Sequence, residues 1–507
     1  MAGTPSQLSH AIASIGPLLQ SLGLELNCSK TLVWGDSARF PPDSILTRFS
    51  HVPLSSGVKV LGSYVGPDDR LGEFCSKRVS DLERFSERLG QLDCPQTGLL
   101  ILRSCLGACK LSYASRTIPF ALLDSMLSAC SHIIRESLCS LLGKSLDDLA
   151  WLQSCLPLAK GGMGIQDPFT VGSVAFLSGS LCFALSAHTV GWDRSTALPI
   201  GFLDACVRVQ SLLGGQSEVL SRWMASGAIG LLAPSEAAEL SSQHTWSAQV
   251  SEHAVAAWDA MAPPRERFRR ECQSQPHAPA FLSVRPCEAL GLRLSSVDFQ
   301  LLCQRWMGVP LFSSPEAAVC CACGLQGDIH GDHLLSCPDM GRYARHNSLR
   351  DAVIHIAEAA GIDCRVEARL SQDFMLRPGD VMLCGFSRGR NLMADISVVN
   401  ELQLSADFML PCGSVSARRR AQKRDLYAVA CAREGLEFEA IVANTCCGWE
   451  PAAVDFLRGL FRRYRVHNGG SPAEVYPALW GRVSVGLAAC IGRQLAQGVL
   501  GSLPCEY

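Results

Sequence analysis

The sequence has almost no surplus of either charge. Its 45 Lys and Arg against 47 Asp and Glu leave a formal net charge of −2. That excludes wholesale coating of nucleic acid, so any such binding must come from local basic clusters. The start, Met1-Ala2-Gly3-Thr4, lacks the charged-then-apolar pattern of a signal peptide. A long uninterrupted apolar run is missing too. The most membrane-like stretch, Val171 to Trp192, carries four Ser, three Gly and a His, and so suits one or two buried helices better than a span. No membrane partner is expected, and a nuclear or cytoplasmic location is. No internal repeat is evident, and 507 residues suggest two to four domains. What the chain does have is a 48% apolar fraction, ample for packed cores, and 25 scattered Cys. That cysteine usage fits a reducing compartment with free thiols and one metal site.

Along the chain, Ser6 to Leu22 has helical apolar spacing that stops at Gly23, and Val58 to Val65 reads as a strand pair broken by Gly62. Asp68 to about Leu149 is helical and amphipathic, Leu156 to Gly164 is a loop, and Ser173 to Leu240 is again mostly helical. Around Pro263-Pro264, Arg265, Arg267, Arg269 and Arg270 read as a basic linker, either a solvated hinge or a contact to phosphate.

Cys320, Cys323, His333 and Cys337 give the pattern C-x2-C-x9-H-x3-C, which contains the only C-x-x-C of the sequence. Zinc takes four soft or borderline ligands in a tetrahedron. A C-x2-C turn brings two thiolates to one ion, and a His with a Cys four residues on shares one face of a helical turn. Cys321 or His330 could replace one ligand, and accidental spacing in a Cys-rich chain is the plain alternative. With four protein ligands the site is closed, which makes its expected role structural rather than hydrolytic.

Asp380 to Cys384 reads as a strand, Gly385 to Asn391 as a turn, and Leu392 to Val399 as a second strand. Folding back brings Asp380 and Asp395 to one spot, where paired carboxylates bind a hard divalent cation such as Mg²⁺ or Mn²⁺. Glu367 is a possible third acidic group. A helix from about Ser416 to Glu434 puts Arg420, Lys423 and Tyr427 on one face, and Leu436 to Val442 alternates as a third strand. The structural alternative makes Asp380 a strand-start turn residue and Asp395 a hairpin salt-bridge partner.

Gly331-Asp332-His333-Leu334-Leu335-Ser336-Cys337 followed by Arg345-His346-Asn347-Ser348-Leu349-Arg350-Asp351 resembles the knuckle-to-nuclease junction of restriction-like non-LTR retrotransposon proteins. Arg377-Pro378-Gly379-Asp380 and Ala394-Asp395-Ile396-Ser397-Val398 resemble their two acidic motifs, and Ala421-Gln422-Lys423 through Tyr427 their Lys and Tyr helix. The nuclease part of that family belongs to the PD-(D/E)XK group. The resemblance implies that Asp380 and Asp395 bind metal and that Lys423 supplies the basic group. Ser397 stands where the wider group carries a lysine, and Gly379 is inserted into the usual Pro-Asp pair. More weakly, Leu22 to Lys30 resembles the end of a reverse-transcriptase palm, Val60-Leu61-Gly62-Ser63 its primer grip, and Gly161 to Ile165 the loop closing its thumb. No Tyr-x-Asp-Asp motif precedes Leu22, so no self-sufficient polymerase activity is expected.

The expected architecture is therefore multidomain: a mainly α-helical N-terminal half, then a zinc knuckle, then an α/β restriction-endonuclease-like domain. Its segments would be a palm and primer-grip remnant at 1–66, a helical thumb-like region at 67–190, a helical linker at 191–318, a CCHC knuckle at 319–337, the nuclease at 338–470 and a C-terminal tail at 471–507. Arg345, His346, Arg377, Arg388, Arg390, Arg420, Arg424 and Tyr427 are the expected nucleic-acid contacts, with Arg418 and Arg419 beside them. Arg345 and His346 have a second reading, as caps of a helix from about Asn347 to Ala360 or an extension of the zinc site. DNA, and possibly element RNA, are the expected partners. A nuclear location follows only from the resemblance. The expected function is a metal-dependent DNA endonuclease, with a catalytically inactive nucleic-acid-binding remnant as the alternative.

Overall fold

The computed structural model of the chain describes residues 3–41, 44–187, 199–227, 229, 234–320, 322–370, 376–402, 408 and 410–501. Most described residues are helical, and the strands form two two-stranded sheets and one four-stranded sheet. The chain divides into two compact units, each assembled from separated stretches. One takes Met1–Phe85, Ala108–His132 and Pro168–Ala248, and the other takes Ser86–Gly107, Ile133–Asp167 and Gln249–Tyr507. The thumb-like stretch 67–190 therefore divides between them, and the second half of the expected linker, from Gln249 on, belongs to a packed unit.

In the first unit, the helix Pro5–Ser21 begins at a reciprocal cap between Thr4 and Gln7. It buries Ile12 against Val33, Leu46 and Phe49. The strands Val58–Val60 and Ser63–Val65 form a hairpin whose turn residues Leu61 and Gly62 have φ of 49° and 94°. Two positive φ values in a two-residue turn match the right-handed strand twist, which favours Gly at the second position. The apolar helix Pro168–Ala187 comes close to Arg116, where a Cβ on Gly179 would lie 2.5 Å from a backbone oxygen. Two helices, Pro168–Ser186 and Pro472–Leu500, are long and apolar enough to cross a membrane, and more than half of each apolar window is buried within the protein (56% and 61%).

The second unit holds the four-stranded sheet, in the order Cys364–Val366, Val381–Ser387, Arg390–Val399, Glu437–Asn444. The first three strands are antiparallel, and the last lies parallel to its neighbour after a crossover through the helix Ser414–Arg433. A parallel pair needs such a crossover, because a tight turn cannot reverse the chain twice. Met382, Met393, Cys431, Phe438, Ala440 and Val442 pack together between sheet and crossover helix. The helices Arg342–Ala359 and Pro451–Asn468 also pack on the sheet strands. The stretch expected as a tail is instead the 29-residue helix Pro472–Leu500. It buries Trp480, Val483, Leu487, Ile491 and Leu495 and packs on the helices Ser296–Trp306 and Arg342–Ala359. Its mostly apolar side chains have little reason to stay in water.

Two of the four arginines read as a basic linker, Arg269 and Arg270, are core residues, while Arg265 is half-buried and Arg267 exposed. They lie on the helix Pro264–Gln273, where Arg269 is 1% exposed and Arg270 8%. Neither is a solvated hinge or a phosphate contact. Arg269 donates to Glu266, Gln153, Gln273 and the Trp306 carbonyl, and Arg270 forms a two-point pair with Asp259. Asp332, on the short helix Asp332–Ser336, accepts from Arg265 at 3.0 Å and from Arg305 at 2.9 Å. Burial pushes the Asp332 carboxyl up, but the two guanidiniums outweigh it and hold it below its ordinary value. A carboxyl depressed by folding contributes stability that is present above its unfolded pKa and is lost as pH falls through the folded one. Replacing Asp332 with Asn leaves the buried Arg305 without a counter-charge and Arg265 with Glu266 alone, an expected loss of about 3–5 kcal/mol. Urea unfolding followed by tryptophan fluorescence should show that loss, together with a flatter acid limb of stability against pH.

Candidate metal centre and carboxylate cavity

The knuckle is built on two turns. Val319 and Gln326 bridge the ends of a tight loop, and Gly324 at φ 68° donates its N–H to the Cys320 carbonyl at 2.8 Å. A side chain at that φ would be strained, so glycine suits the turn. Burial raises the Cys320 thiol, but the backbone N–H groups of Cys323 and Ala322 outweigh it and hold it below its ordinary value. The helix Asp332–Ser336 then offers His333 and, one turn on, Cys337, whose N–H bonds the His333 carbonyl. The ligand atoms of Cys320, Cys323, His333 and Cys337 all lie within 4.8 Å of one another. Thiolates around one zinc sit roughly 3.8 Å apart, from a Zn–S distance of about 2.3 Å in a tetrahedron. Such a Cys3His cluster could bind a metal such as zinc. His330 stays outside it, beside Arg265 and Glu266. Cys321 lies outside the described residues.

The hairpin register fixes the carboxylates. Val381 pairs with Ala394, Met382 with Met393 and Leu383 with Leu392, so one further step sets Asp380 against Asp395. Opposed residues in an antiparallel pair carry Cβ atoms about 5 Å apart. Gly379 makes this fit, because a Cβ there would lie 2.8 Å from the Ala394 carbonyl oxygen. The extra residue between Pro378 and Asp380 is thus absorbed where the strand approaches most closely.

Each carboxylate has its own partners. His346 Nε2 donates to Asp380 Oδ1 at 3.0 Å, and the Ile396 N–H donates to Oδ2 at 2.6 Å. Lys423 Nζ donates to Asp395 Oδ1 at 2.7 Å, and Ser397 Oγ to Oδ2 at 3.3 Å. Burial raises Asp380, but the bonds from His346 and Ile396 prevail and its carboxyl lies below the ordinary value. Burial also raises Asp395, the Asp380 charge adds to it, and Lys423 only partly offsets both, so Asp395 lies above. The bond to Asp380 lifts His346 above the ordinary imidazole value, against burial. Two facing acids with pKa values driven apart are a pattern typical of functional sites.

These groups line a cavity of about 460 Å³ with Arg342, Tyr343, Ser397, Arg419 and Lys423. The helix carrying Lys423 starts at Gly413, where the buried Glu401 carboxylate accepts from the N–H groups of Val415 and Ser416. An anion at a helix N-terminus is favourable. The Tyr427 ring lies 5.4 Å from Lys423 Nζ and packs on Phe438, so this tyrosine holds the lysine.

Several expected nucleic-acid contacts sit elsewhere. Arg345 is 2% exposed and donates to Leu335, Gln494 and Val398, so it is a core tie and not a phosphate contact. It does not cap a helix either, because its helix already starts at Arg342. Arg420 pairs in two-point fashion with Glu439, which also takes Arg424, while Arg390 pairs with Glu437. Glu367, offered as a third acid, pairs with Arg377 at 2.9 Å. Arg388 occupies the exposed hairpin tip at φ 49°. Arg342, Tyr343 and Glu401 escaped sequence reasoning. Arg342 had a usable signal, because it lies one helical turn before His346.

Elemental analysis of the purified chain should find one zinc, and His333→Ala or Cys337→Ser should lose it while His330→Ala keeps it. Retention in the first two variants would remove the knuckle assignment. No protein family matches the chain, and no curated protein matches it.

Proposed function

We propose that the chain is a metal-dependent endonuclease that nicks DNA and belongs to a protein of the non-LTR retroelement class. The observation that carries this reading is the meeting of Asp380, Asp395 and Lys423 at one cavity. The antiparallel hairpin, crossover helix and parallel strand are similar to the core of PD-(D/E)XK nucleases, which the sequence motifs resemble.

The donor set suits a hard divalent cation such as Mg²⁺ or Mn²⁺, since each carboxylate oxygen offers a lone pair beyond its present hydrogen bond. When bound, such an ion polarises a phosphoryl oxygen and lowers the pKa of water. The protein's own groups do the rest. Asp380 and Asp395 would hold such an ion in the cavity they line. Lys423 gives up its bond to Asp395 and either orients the attacking water or holds a phosphate oxygen. His346, bonded to Asp380, fixes that carboxylate's orientation. Arg342 and Arg419 line the same cavity and hold the flanking backbone by charge, which carries no sequence information. On this reading DNA is the partner, the site of action is nuclear, and the knuckle's zinc is structural.

Supercoiled plasmid with Mg²⁺ or Mn²⁺ should be converted to the open circle by the wild-type chain. Asp395→Ala and Lys423→Ala should each slow nicking by about 100-fold or more. Equal rates for wild type and Asp395→Ala would end the catalytic claim. Unchanged DNA binding without nicking in the wild type would favour a binding-only remnant.

A further inference from the structure

Three thiols meet in the second unit, away from the knuckle. Cys272 ends the helix Pro264–Gln273, Cys412 lies two residues ahead of the helix Ser414–Arg433, and Cys446 follows the strand Glu437–Asn444. Cys272 and Cys446 are buried with Phe268 and Leu402, and Phe408 and Cys412 pack against them from a partly exposed position. The Cys412 thiol donates to Cys272 Sγ at 3.1 Å, and Cys446 lies in the same buried cluster.

The far end of this chain of thiols meets a buried cation. Arg305 is 2% exposed, and its Nε has no partner although it is shut off from water. Arg265, Arg269 and Arg305 face only Glu266 and Asp332 in the buried ion network, which leaves one positive charge over. A thiolate on Cys446 balances that charge. The Cys272 hydrogen bond pulls Cys446 down to about 7, with burial opposing and the Arg305 guanidinium helping.

The geometry points to a peroxide-sensitive thiol site in which Cys412 and Cys272 join as a disulfide, with Cys446 as the base and alternative partner. Proton transfer from Cys412 along its bond to Cys272, and from Cys272 to the neighbouring Cys446, brings the negative charge to the thiol that solvent reaches. The Cys412 thiolate attacks a peroxide oxygen, the O–O bond breaks, and sulfenic acid and hydroxide form, the hydroxide then taking the proton held on Cys446 to give water and restore that thiolate. The Cys272 sulfur then attacks Cys412, the S–O bond breaks, and the departing hydroxide takes the Cys272 proton as water. Two thiols lose two electrons and two protons, and one peroxide becomes two waters. Attack of the Cys446 thiolate on Cys272 moves the bond inward and frees Cys412. The first disulfide ties the residue just ahead of the Lys423 helix to the helix Pro264–Gln273.

The test is brief exposure of the full chain to equimolar hydrogen peroxide, then alkylation, non-reducing digestion and mass spectrometry. A Cys272–Cys412 cross-link should dominate all other cysteine pairs and vanish on reduction. Cys446→Ser, which removes the base, should form that cross-link several-fold more slowly, and Cys412→Ser should make oxidation of Cys272 and Cys446 several-fold slower. Circular dichroism and the dithiothreitol-reversible thiol count confirm that each variant is folded. Cys412 oxidised beyond sulfenic acid while Cys272 stays reduced would overturn the proposal, as would Cys272 oxidising at the wild-type rate in Cys412→Ser.

Discussion

One buried carboxylate organises the second unit. Asp332 takes a guanidinium from each of two helices, Arg265 from Pro264–Gln273 and Arg305 from Ser296–Trp306, while its own helix presents His333 to the knuckle. Its carbonyl accepts from Asn400, which follows the strand bearing Asp395, and Thr445 bonds Asn400 from the neighbouring strand end. Charges this deep are stable only when paired and fully hydrogen-bonded. The knuckle, the helical scaffold and the sheet are therefore fixed to one another through a few strong, directional contacts.

Those contacts set the depth at which the carboxylate cavity forms. Arg345 adds a second tie, reaching from the helix after the knuckle to the strand carbonyl of Val398. Glu401 anchors the start of the crossover helix, and Lys423 follows on that helix beside Asp395. The cavity then holds one acid that ionises readily and one that resists, with a lysine and an imidazole between them. Opposite tendencies in such close quarters come from burial acting on both, hydrogen bonds that outweigh it only at Asp380, and the Asp380 charge that raises Asp395 further.

Much of this was legible in the sequence where local periodicity decides the outcome. The hairpin, the Lys423 helix, the final strand and the four knuckle ligands stand where spacing put them. The register of Asp380 against Asp395 follows from side-chain alternation once the turn is known. The failures concern burial. Arg269, Arg270 and Arg345 read as surface cations because charge normally seeks water, and only tertiary pairing with Glu266, Asp259 and Gln494 makes their burial tolerable. Pro472–Leu500 read as a tail because its partners lie far back in the chain, on Ser296–Trp306. Glu401 carried no signal at all, since the helix it anchors begins only at Ser414.

The central claim is that Asp380 and Asp395 share one divalent ion. Crystals soaked in Mn²⁺ and measured at the manganese absorption edge test it directly. A single anomalous peak is expected in the cavity between Asp380 and Asp395, with Lys423 released from Asp395. A cavity without that peak, with Lys423 still bonded to Asp395 at saturating manganese, would contradict it.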